Sequence, residues 1–263
     1  MKNILLIWSS PYKFKKMDRT YWEKIAPEYN EEIFDVLKND SKKIIVSAIK
    51  KVSSKNKTVI DIGCAIGKWL PVLSPAFKKV HAVDISAENL EIAKKLYPEF
   101  INVEYDRIDM SNPKAKMPIC DIGICINAIL TDALKKRNTF FSNIKKCIKK
   151  KGHLILVIPS LESSMLTSII RQRWNPDRDA NGAISKKNSG VQLKNILQGN
   201  AEIDSVPTKH YLKEELQLLL SNEGFIAEDF QKIEYEWDTE FLKPPKWLTE
   251  PKPWDWMVVA KKM

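Results

Sequence analysis

The chain has 263 residues, 44% of them apolar, a formal net charge of +10 and an isoelectric point near 9.2. This composition suffices for one sizeable core, so we expect a single α/β domain over residues 1–263. No apolar run approaches the roughly 20 residues of a membrane span, and the start of the chain lacks the features of a signal peptide. We therefore expect a cytoplasmic protein.

The positive charge comes mostly from lysine, since only six residues are arginine. Arginine is the residue suited to bidentate phosphate and base contacts, and the lysines occur in pairs that fit solvated helix faces. The charge alone therefore decides little, and the scarcity of arginine makes a nucleic-acid partner an unfavoured expectation. The cysteines form no Cys-x-x-Cys pair and have no histidines at zinc spacing, which predicts reduced thiols and no metal site; they are Cys64, Cys120, Cys125 and Cys147.

The N-terminal part predicts helices. Residues 1–16 are an apolar and basic extension to which we assign no function. From Tyr21 to Leu37, apolar residues recur at helical spacing, and Ser41 to Val52 repeats the pattern. We expect residues 17–57 to form helices that precede the first strand.

A nucleotide-binding unit follows, from Thr58 to Asp84. The run Thr58–Ile62 is apolar and β-branched, as in a buried parallel strand. A glycine turn, a helix predicted from Lys68 to Phe77, and a second strand that stops at Asp84 complete a βαβ pattern. At the end of this strand, Asp84 can accept hydrogen bonds from both ribose hydroxyls, or it can simply precede a helix capped by Ser86.

The class of nucleotide depends on the spacing in the turn. A dinucleotide fingerprint starting at Gly63 needs glycines where Ala65 and Lys68 stand. The observed Asp61-x-Gly63-x-Ala65-x-Gly67 instead resembles the first motif of class I S-adenosylmethionine (SAM)-dependent methyltransferases, with alanine in place of the middle glycine. SAM has no phosphate, so the extra methyl group is tolerable if Ala65 keeps a negative φ.

The resemblance implies SAM as cofactor and a particular set of binding residues. It extends to a third strand, predicted at Ile101–Tyr105, after which Asp109-Met110 matches the adenine position and Asp106 is a competitor. It also extends to Asn127, after the fourth strand, and to a helix and fifth strand ending at Pro159-Ser160. The cofactor-binding residues it implies are Tyr21, Tyr29, Asp61, Gly63, Cys64, Ala65, Gly67, Asp84, Ile85, Asp109, Met110 and Asn127. Tyr21, Trp22 and Tyr29 could form a lid, although aromatic residues at helical spacing also occur in cores.

The resemblance also implies the fold. It is a Rossmann-like, doubly wound sheet of seven mostly parallel strands with an antiparallel last strand, N-terminal helices and an inserted cap. Residues 58–160 would be the SAM-binding core, residues 161–207 the cap over the pocket, and residues 208–263 the rest of the core. The insertion is far longer than ordinary connections of about 2–6 residues. A helix is expected at Ser164–Arg173, and Asp177 and Asp179 could approach a substrate amine.

The sequence offers few catalytic bases. His81 and His153 belong to predicted strands, which leaves His210, before the last helix, as the candidate general base near the cleft. No Asn-Pro-Pro-Tyr-type motif follows the fourth strand, which disfavours methylation of amides or exocyclic base nitrogens. We therefore expect methyl transfer to an oxygen or nitrogen of a small molecule. The alternatives are an RNA or protein acceptor, because of the lysine excess, and a non-catalytic SAM-binding protein, because of Ala65 and the scarcity of bases.

Overall fold

The first strand, β1 (Thr58–Ile62), lies in the interior of the main sheet. Its residues Val59, Ile60 and Ile62 are 0% exposed, as expected for a parallel strand covered on both faces. The computed structural model describes residues 17–174, 198–203 and 206–263. The N-terminal extension and the candidate acids Asp177 and Asp179 lie outside the described residues.

Among the described residues, seven strands form the main sheet, in the order β3-β2-β1-β4-β5-β9-β8, and β6 and β7 form a separate antiparallel pair. Strand β9 runs antiparallel to both neighbours and the other six are parallel. This is the predicted methyltransferase topology with its antiparallel strand last in the chain. The strands after β1 are β2 (Lys79–Asp84), β3 (Val103–Arg107), β4 (Cys120–Ile126), β5 (Ile148–Pro159), β6 (Asn200–Ile203), β7 (Val206–Lys209), β8 (Phe225–Glu234) and β9 (Trp254–Lys262).

Helices cover both faces of this sheet, and the described ones are α1 (Arg19–Ile25), α2 (Tyr29–Glu32), α3 (Val36–Asn39), α4 (Ile44–Val52), α5 (Leu70–Leu73), α6 (Ala87–Leu96), α7 (Leu134–Cys147), α8 (Leu161–Trp174) and α9 (Lys213–Asn222). Ser86 caps α6 by accepting a hydrogen bond from the Asn89 amide, as predicted. All four cysteines are buried free thiols. Within the described residues, no helix is both long and apolar enough to cross a membrane.

Two helix predictions were wrong in extent. The pattern from Tyr21 to Leu37 is divided into α1, a 3-10 turn at Ala26–Glu28, α2 and α3, because Pro27 has no amide hydrogen with which to continue α1. The helix expected from Lys68 to Phe77 is only the single turn α5. There Pro75 cannot donate the bond that would extend the helix.

The helix α8 is attached firmly to the C-terminal part of the chain. Ile170 packs with Trp237, Phe241 and Leu248 in a small cluster of buried side chains. The Ser163 hydroxyl accepts a hydrogen bond of 2.8 Å from the backbone amide of Trp254, at the start of β9. The first part of the predicted cap is therefore continuous with the core, and it packs on the segment between β8 and β9.

Candidate functional site

In the loop after β1, every second residue has a positive φ. Gly63, Ala65 and Gly67 all have positive φ, at 73°, 48° and 82°. The requirement that Ala65 keep a negative φ is therefore wrong: the middle position of this loop needs the left-handed conformation, which only glycine adopts without cost. A Cβ at Gly63 would lie 2.5 Å from the Cβ of Ala128, so this glycine lets the loops after β1 and β4 touch.

Asp84 ties this loop to the end of β2. One of its carboxylate oxygens accepts the Ala65 amide at 2.9 Å, and the other accepts the Ser86 amide at 2.8 Å. The side chain is 7% exposed, and burial raises the pKa of the carboxyl, although the backbone hydrogen bonds oppose the shift. Asp84 thus both holds the loop and precedes a capped helix. Its contact with ribose stays a prediction.

Asp61 is a buried acid with an unused acceptor. It is 2% exposed, and its Oδ2 has no hydrogen-bond partner in the described part of the chain. Burial, with a smaller contribution from Asp84, raises the pKa of Asp61 to about 7. Such a carboxylate is costly to ionise without a cation beside it, so the site fits a ligand that brings a positive group.

A cavity of about 690 Å³ opens above the carboxyl ends of the strands and connects these groups. Twelve of the thirteen residues implied by sequence as cofactor-binding or catalytic line it, and Gly67 does not. Asp109 and Met110 lie on its wall, whereas their competitor Asp106 does not line it. The cavity falls where parallel α/β sheets bind ligands.

The N-terminal helices close one side of the cavity. Tyr21, Trp22 and Tyr29 all line it, and the rings of Tyr21 and Trp22 meet edge to face at 4.9 Å. Lys68 lies 5.7 Å from the centre of the Tyr29 ring and forms a 2.7 Å ion pair with Asp35. The aromatic residues considered for a lid are therefore at the cavity, and a lid role for them stays a prediction.

On the far side, Asn127 connects the end of β4 to the start of β9. It has a φ of 48°, and its side-chain nitrogen Nδ2 donates a hydrogen bond to Asp255 Oδ2 at 2.9 Å. The Tyr235 hydroxyl donates to the same oxygen at 2.8 Å, whereas Asp255 Oδ1 accepts no hydrogen bond from the described residues. Burial raises the pKa of Asp255, against the effect of these two hydrogen bonds.

A second carboxylate, Glu240, lines the same side of the cavity. Burial raises the pKa of Glu240 to about 6, with opposing effects from Arg171, which lowers it, and Asp255, which raises it. Arg171 donates from Nη2 to the Glu240 backbone carbonyl at 2.9 Å, and its guanidinium lies 4.8 Å from the centre of the Phe241 ring. Glu240 thus has a cation nearby, whereas no lysine or arginine of the described residues shifts the pKa of Asp255.

His210 also lines the cavity, as expected. Its Nδ1 lies 3.0 Å from the Thr208 carbonyl oxygen, which can only accept, so Nδ1 carries the hydrogen and Nε2 keeps a lone pair. Burial lowers the pKa of His210 to about 4. The ring is therefore neutral at physiological pH and is a weak base.

The charge of the cavity wall is opposite to that of the whole chain. Among the described residues, the wall contains four lysine or arginine side chains, Arg19, Lys68, Lys136 and Arg171, and nine carboxylates, namely Asp18, Glu32, Asp35, Asp61, Asp84, Asp109, Glu202, Glu240 and Asp255. Over the whole sequence, lysine and arginine outnumber the acids by 43 to 33. The site is therefore suited to cationic ligands.

Sequence reasoning missed Asp255, Tyr235 and Glu240. These residues come from the C-terminal strands and the segment between them, far along the chain from the glycine loop. One signal was present: Asp255 interrupts the apolar run Trp254–Ala260, and an acid within a buried strand needs a partner or a function.

These features together define a class of protein. A parallel sheet with β9 inserted antiparallel, a glycine loop after β1 and an acid ending β2 are those of a Rossmann-like SAM-dependent methyltransferase. The family comparison agrees: residues 29–200 match the model of a methyltransferase domain. The chain belongs to this methyltransferase domain family, which confirms the predicted enzyme class and SAM as its cofactor.

Solved structures share the fold. The chain resembles a SAM-dependent methyltransferase from Methanosarcina mazei with a TM-score of 0.56 and 18% identity, covering 82% of this chain and 97% of that one. It resembles one from Anabaena variabilis with a TM-score of 0.60 and 14% identity, covering 97% and 99%. It also resembles the N-methyltransferase NodS from Bradyrhizobium japonicum, solved with S-adenosyl-L-homocysteine, with a TM-score of 0.60 and 10% identity, covering 93% and 97%. A search of curated proteins found no match.

Proposed function

We propose that this protein transfers a methyl group from SAM to a nitrogen or oxygen of a small-molecule acceptor held in the same cavity. The observation that supports this most is the continuity of the cavity from the glycine loop to the start of β9. Its volume of about 690 Å³ falls within the roughly 300–1,000 Å³ typical of small-molecule sites. The acceptor would lie against α8, β9 and the segment that follows β8.

The polar groups of the described residues match the polar groups of SAM. When bound, SAM supplies an electrophilic methyl group on a positively charged sulfur. Asp61, with its unused oxygen, would accept the methionine ammonium, Asp84 the ribose, and Asp109-Met110 the adenine. The glycine loop would let the backbone approach the ligand closely. Acidic side chains around the cavity would complement the net positive charge of the cofactor.

The protein contributes mainly position and exclusion of water. The N-terminal aromatic residues Tyr21 and Tyr29 would cover the cofactor, and α8 would cover the acceptor. His210, neutral and with Nε2 unprotonated, would accept a hydrogen bond from the acceptor. Because its pKa is near 4, His210 would orient the acceptor and would not store its proton at neutral pH.

A thermal-shift assay tests the cofactor half of this proposal. SAM and its demethylated product should raise the melting temperature, because a ligand that binds the native state stabilises it by mass action. NAD and ATP should not, since the loop lacks the dinucleotide spacing and the cavity wall is acidic. Stabilisation by NAD and not by SAM would refute the assignment of the site.

Incubation with SAM and separated cell fractions tests the acceptor half. The small-molecule fraction should yield demethylated cofactor together with a product heavier by one CH₂ group, detected by mass spectrometry. Transfer to the RNA or protein fraction instead would support the alternative acceptors. SAM binding without turnover on any fraction would support a non-catalytic SAM-binding protein.

A further inference from the structure

We propose that the acceptor is an amine, that its ammonium group binds Asp255, and that methylation therefore occurs on nitrogen. This inference rests on the proposed function and adds the class of substrate. Four observations carry it: the burial of Asp255, its hydrogen bonds, the lack of any lysine or arginine among the described residues that shift its pKa, and its position at the cavity wall.

Asp255 is buried and only partly satisfied. It is 9% exposed, and both hydrogen bonds that it accepts, from Asn127 and Tyr235, go to Oδ2. Within the described part of the chain, the interactions that shift its pKa are burial and these two hydrogen bonds, with no lysine or arginine among them. A buried carboxylate without a counterion is unfavourable, and a ligand ammonium at Oδ1 would supply the missing charge and hydrogen bond.

The carboxylates near Asp255 disfavour the other common acceptors. A carboxylate or phosphate group of an acceptor would be repelled by Asp255 and by Glu240, whose charge Arg171 offsets only in part. A neutral hydroxyl brings no cation to offset the cost of ionising the buried Asp255. Only an amine both neutralises Asp255 and can provide a nucleophilic lone pair after it loses a proton.

The reaction balances with the groups present. The acceptor R–NH₃⁺ gives one proton to the Asp255 carboxylate, which burial makes a better proton acceptor than an exposed aspartate. The freed nitrogen lone pair forms the N–C bond to the methyl carbon, and the electrons of the C–S bond remain on sulfur. The products are the protonated N-methylamine and the neutral thioether, and Asp255 releases its proton to solvent in the next cycle.

Matched fragment sets test this inference without knowledge of the natural acceptor. Each carbon skeleton, for example propyl, benzyl and phenylethyl, is supplied as the amine, the alcohol and the carboxylate. Binding to the protein loaded with S-adenosylhomocysteine is measured by ligand-observed NMR, and methyl transfer is measured with labelled SAM. We expect the amine of a set to bind at least ten-fold more tightly than its alcohol or carboxylate, and amines to be the fragments that are methylated.

The variant Asp255→Asn keeps the size of the side chain and an oxygen for Tyr235 but removes the charge. It should abolish the preference for amines and leave the affinity for S-adenosylhomocysteine within about two-fold. Glu202→Gln is the control, because it removes another carboxylate from the same cavity wall and should keep the preference. The inference is overturned if no amine binds, if alcohols or carboxylates bind better, or if Asp255→Asn keeps the preference. If the wild type itself did not bind S-adenosylhomocysteine, the proposed function would be overturned instead.

Discussion

At the scale of single residues, Ala65 stands where both the family pattern and the local backbone conformation favour glycine. Its φ of 48° lies in the region that glycine adopts freely. The amide of this residue nevertheless donates to Asp84, so the loop keeps the conformation that places its hydrogen bonds. Some stability is given up at this position, and a substitution can recover it.

Ala65→Gly should raise the free energy of unfolding by roughly 0.5–1 kcal/mol, since a left-handed alanine costs about 1–2 kcal/mol and the freedom of glycine in the unfolded chain offsets roughly 0.4–1 kcal/mol. The affinity for SAM should stay within a few-fold, because no phosphate approaches this point. Urea unfolding and calorimetry measure the two effects. A large gain in SAM affinity would mean that the alanine has degraded the site.

Gly63→Ala is the matched comparison, because it adds the same methyl group in the same loop. There the new Cβ would lie 2.5 Å from the Cβ of Ala128, and the φ is already 73°. We expect lower stability and weaker SAM binding. If Gly63→Ala behaved like wild type, the close approach of the two loops would not matter for the site.

Asp61 should show a conflict between stability and binding. Its pKa is about 7 in the folded protein and about 3.9 when unfolded, so between these values the folded state holds the extra proton. The stability of the cofactor-free protein therefore falls as pH rises from about 4 to 7, and the loss is complete above about pH 7. Asp61→Asn removes this loss.

The variant Asp61→Asn should accordingly gain melting temperature relative to wild type at about pH 8 and less at about pH 5, when both are free of cofactor. Its affinity for SAM should fall, because an amide does not neutralise an ammonium. Thermal unfolding at both pH values and calorimetry check this. An equal gain at the two pH values would contradict an acid that titrates near neutrality.

At the scale of elements, α8 joins the acceptor side of the cavity to the C-terminal part of the fold. Ile170 is 4% exposed and belongs to the cluster with Trp237, Phe241 and Leu248, whereas its neighbour Ile169 is 55% exposed. Comparing the same substitution at the two isoleucines therefore separates the effect of packing from the helix propensity of isoleucine.

Ile170→Ala should cost about 2–5 kcal/mol of stability, as for other large-to-small substitutions in a core, and Ile169→Ala should cost little. Because the cluster holds α8 near Glu240, Ile170→Ala should also reduce transfer to the acceptor while SAM affinity changes little. Urea unfolding, calorimetry and transfer assays provide the comparison. Equal effects of the two substitutions would show that α8 does not depend on this cluster.

The elements also show what could be predicted from sequence. The unit from β1 to Asp84 was predictable because its signals are local: a β-branched run, glycines and a terminal acid within one short stretch. Asp255, Tyr235 and Glu240 were not, because their meeting depends on how β8 and β9 pair and on the packing of Trp237 and Phe241 against α8. Apolar periodicity overstates the extent of α1 and α5, because it continues past Pro27 and Pro75, which cannot donate the backbone hydrogen bonds that would extend these helices.

At the scale of the whole molecule, a chain with a net charge of +10 has a cavity whose described wall is rich in carboxylates. Polyanions should therefore bind the outer surface of the protein and should not enter the cavity. We expect RNA to bind weakly at low salt, to be released at about 200 mM salt, and to receive no methyl group. Filter binding and labelled transfer test this, with the small-molecule fraction as the positive control. Methylated RNA would show that the acidic wall does not decide the acceptor.

The acidic wall has a consequence for turnover. Each transfer removes the positive charge on sulfur, so the spent cofactor is one unit less positive than the fresh one while its shape hardly changes. The carboxylates of the cavity can thus favour exchange of product for substrate and limit product inhibition through charge alone. Screening by salt weakens such an effect, so the ratio of the Kd of S-adenosylhomocysteine to that of SAM should decrease as ionic strength rises. A ratio independent of salt would mean that the protein distinguishes the two by shape.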